Sequence, residues 1–227
     1  MSQISKSNFA FLEKLKANNT RPFFEKNKDT YIKLHEEMIA FADALLVEVK
    51  KFDEIETPTG KKSLNRIYRD IRFSKDKTQY KTHWGGSLKR MGATRRGGFY
   101  YHIEKGNSFV GGGFWAPSPK DLLHIRKQID LDASPLRKVI NSKKFKDYFG
   151  TLEGDQLKSS PKGFDKENEN IDLLNHKQFV VRHKFTNKEV QEKEFYKKVA
   201  QGFKTMLPFF TVLSGYLTTD LNGESTI

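Results

Sequence analysis

Phe99-Tyr100-Tyr101-His102-Ile103-Glu104, Lys105-Gly106-Asn107 and Ser108-Phe109-Val110-Gly111-Gly112-Gly113-Phe114-Trp115 form the stretch on which the fold class turns. Two strand-like runs rich in aromatic residues flank a short link in which Gly106 and Asn107 supply the dihedrals of a tight turn. The reading is a β-hairpin, and a hairpin pairs its strands antiparallel. Directly beyond it, Ser118-Pro119-Lys120-Asp121 joins an N-cap, a proline at the first helical position and an acidic third position. Leu122, Ile125 and Ile129 follow at helical spacing, so a helix starts there.

Upstream, Ser7 caps a first helix carrying Phe11, Leu12 and Leu15, which Asn18 and Asn19 end. Tyr31, Leu34, Met38, Phe41, Leu45, Val49 and Phe52 then recur every three or four residues, the stripe of a long amphipathic helix. Residues 65–73 alternate: Ile67, Ile71 and Phe73 fall on one side, and Arg66, Tyr68, Asp70 and Arg72 on the other. They are expected to form a half-buried strand. Downstream, Ser134-Pro135 opens a helix that runs towards Phe149 before Gly150 stops it, 158–175 reads as loop, and 178–185 as a strand. Thr186 to Glu189 is a capping box, and Phe195, Val199, Phe203 and Leu207 mark a last helix that Pro208 kinks or ends. Helices at the N-terminus, middle and C-terminus packed around a central, largely antiparallel sheet give an α+β fold, expected as a single domain over 1–227.

The 227 residues are 36% apolar and include 19 Phe, enough large side chains to fill one core despite 30% charge. There is no cysteine, which excludes disulfides, cysteine nucleophiles and thiolate metal sites. Residues 1–6 are polar and lack the apolar run of a secretory signal, so a cytoplasmic location is expected. The most apolar stretch, 206–217, is broken by Pro208 and Gly215 and is shorter than the roughly 20 residues of a membrane span. No membrane partner is expected, and composition sets no oligomeric state. The six histidines show no paired metal-ligand spacing, so neither a metal nor any other cofactor is expected. Net charge is +13, and 61–105 alone holds 13 basic and three acidic residues. So concentrated a field attracts phosphates, nucleic acid or acidic small molecules, and it serves solubility as well.

The densest chemistry lies in Arg66-Ile67-Tyr68-Arg69-Asp70-Ile71-Arg72-Phe73-Ser74-Lys75-Asp76-Lys77-Thr78-Gln79-Tyr80-Lys81. Arg66, Arg69-Asp70, Arg72-Phe73, Asp76-Lys77 and Tyr80 in this order resemble the signature of a bacterial family of conserved hypothetical proteins, domain of unknown function 2461. Asn18-Asn19 with Arg21, Asn27-Lys28 with Tyr31, Tyr100 to Ile103, Gly111 to Gly113 with Trp115 and Pro117, Arg126 with Ile129, and Pro161 to Phe164 extend the likeness over nearly the whole chain. One departure is Phe23-Phe24, where the family pattern more often shows a Trp-Phe pair. The resemblance implies a shared fold and a shared site, and it carries no reaction.

On the strand reading, Arg66, Asp70 and Arg72 share a face, with a carboxylate between two guanidiniums. Such a group either binds phosphate or carboxylate, with Lys75, Lys77 and Lys81 raising the potential, or is a charge network fastening the strand to the turn after it. Arg69 belongs to the inner face and needs an acid, Asp76 or Asp130, while Asp76 suits a turn and Tyr80 packing. Gly111 to Gly113 lacks the Gly-Lys-Ser or Gly-Lys-Thr ending of a nucleotide loop and reads as a bulge or a close approach. His83 and His102 are the proton-transfer candidates of the basic region. The ligand-binding candidates are therefore Arg66, Arg69, Asp70, Arg72, Asp76, Lys77, Tyr80, Lys81 and His102, with catalytic residues unassigned. Three functions remain open. One is a binder of an anionic small molecule or nucleic acid; another is an enzyme with arginine clamps and Asp70, Asp76, His102 or Tyr101 moving protons. The last is a structural or interaction role.

Overall fold

The computed structural model describes residues 2–227 as ten helices and one four-stranded antiparallel sheet, with the helices packed around the sheet. In chain order the helices are α1 (Lys6–Ala17), α2 (Arg21–Lys26), α3 (Lys28–Val49), α4 (Gly60–Ser63), α5 (Pro119–Leu131), α6 (Ser134–Ile140), α7 (Lys143–Phe149), α8 (Ile171–Leu174), α9 (Asn187–Val190) and α10 (Phe195–Thr218). The strands are β1 (Trp84–Lys89), β2 (Gly98–Ile103), β3 (Ser108–Phe114) and β4 (Phe179–Phe185), hydrogen-bonded in the order β1-β2-β3-β4.

The local signals explain most boundaries. The hairpin β2–β3 turns at Gly106, whose φ of 76° only glycine adopts without strain. Ser118 Oγ accepts from the Asp121 N–H at 3.1 Å and starts α5. Thr186 and Glu189 close the capping box of α9. Gly150, at φ 73°, ends α7. Asn18 ends α1, whose N-cap is Ser5 in place of the expected Ser7. The helix expected from Ser134 to Phe149 is divided into α6 and α7, because Ser142 caps a new start by accepting from Phe145 N. Pro208 neither ends nor splits α10. It removes one backbone donor, while Phe203, Met206, Phe209, Phe210 and Leu213 stay fully buried on both sides of it.

The expected strand over 65–73 is absent: the segment makes the single isolated bridge Tyr68–Tyr80, and Leu64 just before it bridges Gly86. Of its apolar row, Ile67 is buried, Ile71 is half-buried and Phe73 stands 96% exposed. The chain folds back on itself instead, with Arg69 N donating to Gln79 O at 2.9 Å and Lys81 N to Ile67 O at 2.7 Å. Residues 66–81 are thus a two-legged arm. Its outgoing leg pairs with its own return leg, which satisfies the backbone without a sheet partner.

The chain divides into two compact units, each built from three segments. The first holds residues 1–89, 100–110 and 184–201. Its core joins the α3 stripe Leu34, Met38, Phe41, Leu45 and Val49 to Tyr101 and Ile103 of β2, with Phe41 edge-on to Tyr101 at 5.6 Å and stacked on Phe195 at 5.8 Å. The second holds 90–99, 111–183 and 202–227. There Phe99 stacks on Phe203 at 4.6 Å and lies 5.1 Å from Phe210, and a Cβ on Gly112 would meet Met206 Sδ at 2.6 Å. Gly113 has φ 132° and packs directly on the Phe179 backbone, the close approach its sequence suggests. Among the described residues no helix is long and apolar enough to cross a membrane. Phe203→Ala should lower the unfolding free energy by about 3–5 kcal/mol in denaturant titrations. A loss below about 1 kcal/mol would show that the Phe99–Phe203 stack is not a core contact.

Candidate functional site

The arm and β2 hold every ligand-binding candidate of the sequence, and all of them belong to the first unit. The arm is pinned by one side chain from the end of α1. Asn19 Oδ1 accepts from Gln79 N at 3.0 Å and Tyr80 N at 2.9 Å, and its Nδ2 donates to Tyr80 O at 2.9 Å. This amide stands in for a neighbouring strand. Tyr80 is buried and stacks on Phe24 with ring centroids 4.3 Å apart, and Tyr68 closes on both rings. Beside them Tyr31, His35 and Trp84 stack in series, Tyr31 at 5.5 Å from His35 and 5.6 Å from Trp84. Burial pushes the Tyr31 hydroxyl up and the His35 imidazole down, Lys61 adding to the latter. Tyr80 is the packing residue the sequence suggests, but its hydroxyl reaches no hydrogen-bond partner among the described residues.

The arm's charges are arranged differently from the shared-face picture. Arg66 acts on the Asp70 carboxylate through its charge, and the hydrogen bonds come from Arg72. Arg72 grips Asp70 alone, with Nε to Oδ1 at 2.9 Å and Nη2 to Oδ2 at 2.6 Å. Arg69 donates to Asp76 and Thr78, so its acid is Asp76, while Asp130 accepts from Asn168. Asp76 also accepts from the Thr78 N–H at 2.9 Å, the turn role expected of it. The Arg69 bond, followed by those from Thr78, holds the Asp76 carboxyl down at about 2. Asp70 is likewise lowered, first by the Arg72 guanidinium. Lys77 Nζ donates to Ile71 O at 3.1 Å and Lys81 Nζ to Arg66 O at 2.6 Å, so both ammonium groups brace the arm with one donor each. Burial, reinforced by Arg66, lowers the Lys81 pKa. The Arg66 guanidinium and the Lys75 ammonium make no hydrogen bond or ion pair among the described residues.

His102 lies on β2. Period-two alternation sets it in a row with Tyr100 and Glu104. Tyr100 Oη lies 3.1 Å from His102 Nδ1, and His102 Nε2 lies 3.1 Å from Glu104 Oε2. The imidazole is stacked between His83 at 4.1 Å and Phe109 at 4.8 Å. Burial, with the positive potential of His102, Lys81 and Arg69 added, drops His83 to about 4. Burial pushes Glu104 up, but hydrogen bonds from Asn107 and His102 outweigh it and the net shift is down. Gly85 faces the row bare, since a Cβ there would come 2.8 Å from Tyr100 Oη.

Tyr101, expected as a proton-transfer group, is wholly buried and bonded to Ser63 at 3.1 Å, and burial raises its pKa. Its neighbour Tyr100 occupies the position that role requires. Trp115, at the end of the expected hairpin, is 70% exposed. The sequence reading missed Asn19 as the arm's anchor and Glu104 and Tyr100 as partners of His102, although the alternation of 99–104 holds the signal for the latter pair.

A family model describing a conserved hypothetical protein, DUF2461, matches residues 7–211. The chain belongs to this family. It finds no match among curated proteins or among solved structures. The match spans α1 through Thr211 within α10, and so includes the whole arm and the β2 row of the DUF2461 chain.

In the second unit a hollow of about 480 Å³ is lined by Arg96, Lys120, His124 and Lys127, with Asp121 taking the Arg96 guanidinium at 2.9 Å. Among the described residues no group of three or more His, Asp or Glu side chains could hold a metal ion.

A proton-detected titration should find His83 neutral at pH 7 with a midpoint near 4. The unfolded chain takes up that proton near 6.5, so stability should fall as pH drops from about 6.5 towards 4. Asp76, with its depressed pKa, contributes above the unfolded carboxylate range and loses its contribution as pH falls towards about 2. A His83 midpoint above 6 would contradict the buried stack.

Proposed function

We propose that the protein binds a phosphate-bearing anion through the arm. One observation carries this reading: the arm's acids are already committed to its own arginines, and its other cations are left over. Six basic and two acidic residues lie between 66 and 81. Asp70 and Asp76 answer Arg72 and Arg69, while Arg66 and Lys75 make no side-chain hydrogen bond or ion pair among the described residues and Lys77 and Lys81 keep spare donors. The excess positive charge sits on a braced frame, so less ordering is required when an anion arrives. The closed pairs also argue against the picture of Asp70 steering a two-guanidinium clamp.

A thermal-shift screen of phosphorylated metabolites, nucleotides and oligonucleotides tests this, using wild type, Arg66→Ala/Lys75→Ala and Lys120→Ala/Lys127→Ala. A ligand should raise the wild-type and the Lys120/Lys127 variant melting temperatures and leave the Arg66/Lys75 variant unmoved. Equal shifts in wild type and the Arg66/Lys75 variant would remove the arm from the site.

An enzyme acting on an anionic metabolite is the second reading, favoured by the Tyr100–His102–Glu104 row. A carboxylate holding one ring nitrogen of an imidazole fixes its tautomer, and the other nitrogen can then take a proton from the phenol. If this row performs chemistry, His102→Gln should abolish turnover of any anion that binds, and Arg66→Ala should raise KM more than it lowers kcat. A wild-type protein that binds an anion and never transforms it leaves binding as the whole activity.

A further inference from the structure

At 96% exposure, the Phe73 ring contributes nothing to the core, although a phenylalanine in water gains nothing by being there. Its one ring contact among the described residues is the Arg72 guanidinium, 5.9 Å from its centroid. That guanidinium is itself fixed by its two bonds to Asp70. A flat cation is therefore held beside an open aromatic face. Lys75 and Lys77 lie on the same tip, and Tyr68, 54% exposed, stands nearer the base of the arm.

We propose that the arm binds single-stranded nucleic acid, with Phe73 stacking on an unpaired base and Arg66, Lys75 and Lys77 taking the phosphates around it. The proposal rests on the anion-binding reading above and names its ligand class. A lone phosphate would use the cations and ignore the ring. A duplex keeps its bases stacked on one another and offers the ring no face. A single strand presents both a line of phosphates and free base faces, and pairing an aromatic platform with basic side chains along the backbone path is how sequence-tolerant binding of single strands is built. The cations are strung from Arg66 at the base to Lys75 at the tip, which suits a backbone running along the arm more than a membrane into which one ring is pushed.

Fluorescence anisotropy with a labelled poly-dT oligonucleotide provides the test. Competitors are a duplex of equal length, inorganic polyphosphate and vesicles of phosphatidylcholine with phosphatidylserine, at about 50 and 200 mM salt. Wild type should prefer the single strand to the duplex. Phe73→Ala should weaken single-strand binding about ten-fold, the size of one lost base stack, and leave polyphosphate binding unchanged, while Phe73→Trp retains affinity. Arg66→Ala/Lys75→Ala should weaken both ligands and flatten the salt dependence. The ring packs on nothing in the core, so the melting temperature of Phe73→Ala should equal that of wild type and separate lost binding from lost folding. Unchanged single-strand binding by Phe73→Ala, or tighter binding of the duplex or of vesicles, overturns the proposal and leaves the anion reading standing. No binding of any of these polyanions overturns both.

Discussion

The fold depends on strand β2 holding its register, because a side-chain period of two leaves it no tolerance. In register, Phe99, Tyr101 and Ile103 are all buried, and Tyr100, His102 and Glu104 form a polar row on the opposite face. A slip of one residue would drive an imidazole and a carboxylate into the ring cluster and carry three large apolar side chains out of it. The neighbouring strand is cut to fit. Gly85 leaves room for Tyr100 Oη, and a Cβ at Gly86 would overlap the Tyr101 phenol. Side-chain volume on β1 was therefore given up to seat two tyrosines of β2, one in each row.

The arm is held by a different balance. Its ion pairs are open to water, with the Arg72 and Asp70 side chains 76% and 61% exposed, and exposed pairs contribute little each. What fixes it is less conspicuous: the buried Ile67, the Phe24–Tyr80 stack and three hydrogen bonds from the Asn19 amide to the return leg. A backbone pair that would otherwise want a strand beside it is satisfied by one asparagine. The arginines then shape the tip, and the charges that remain are presented from a frame held from below.

Much of this architecture is legible in the sequence where local chemistry acts alone. The hairpin turn at Gly106, the Ser118 and Thr186 caps and the α3 stripe are each decided by a few adjacent residues. The failures share a cause. Residues 65–73 alternate as a strand does, yet alternation specifies only which side each residue takes, and the partner is chosen by Asn19, some 60 positions away. Strand β1 escaped notice because its Gly85 and Gly86 weaken any strand signal, and their purpose is visible only beside Tyr100 and Tyr101. The pairings Arg69–Asp76 and Tyr80–Phe24 follow from elementary needs, an acid for a guanidinium and a ring for a ring. The shared face of Arg66, Asp70 and Arg72 was implied by a strand that does not form, and there Arg72 bonds Asp70 while Arg66 acts on it through its charge.

The segments of the two compact units alternate along the chain: each unit is assembled from three separated segments, the first closing with residues 184–201 and the second with 202–227. During vectorial synthesis neither can be completed before the ribosome has passed residue 184. Phe41 of α3 and Phe99 of the hairpin emerge before Phe195 and Phe203, the rings on which they stack, have been made. Such a chain places its decisive contacts far apart in sequence, which slows the search for the native state.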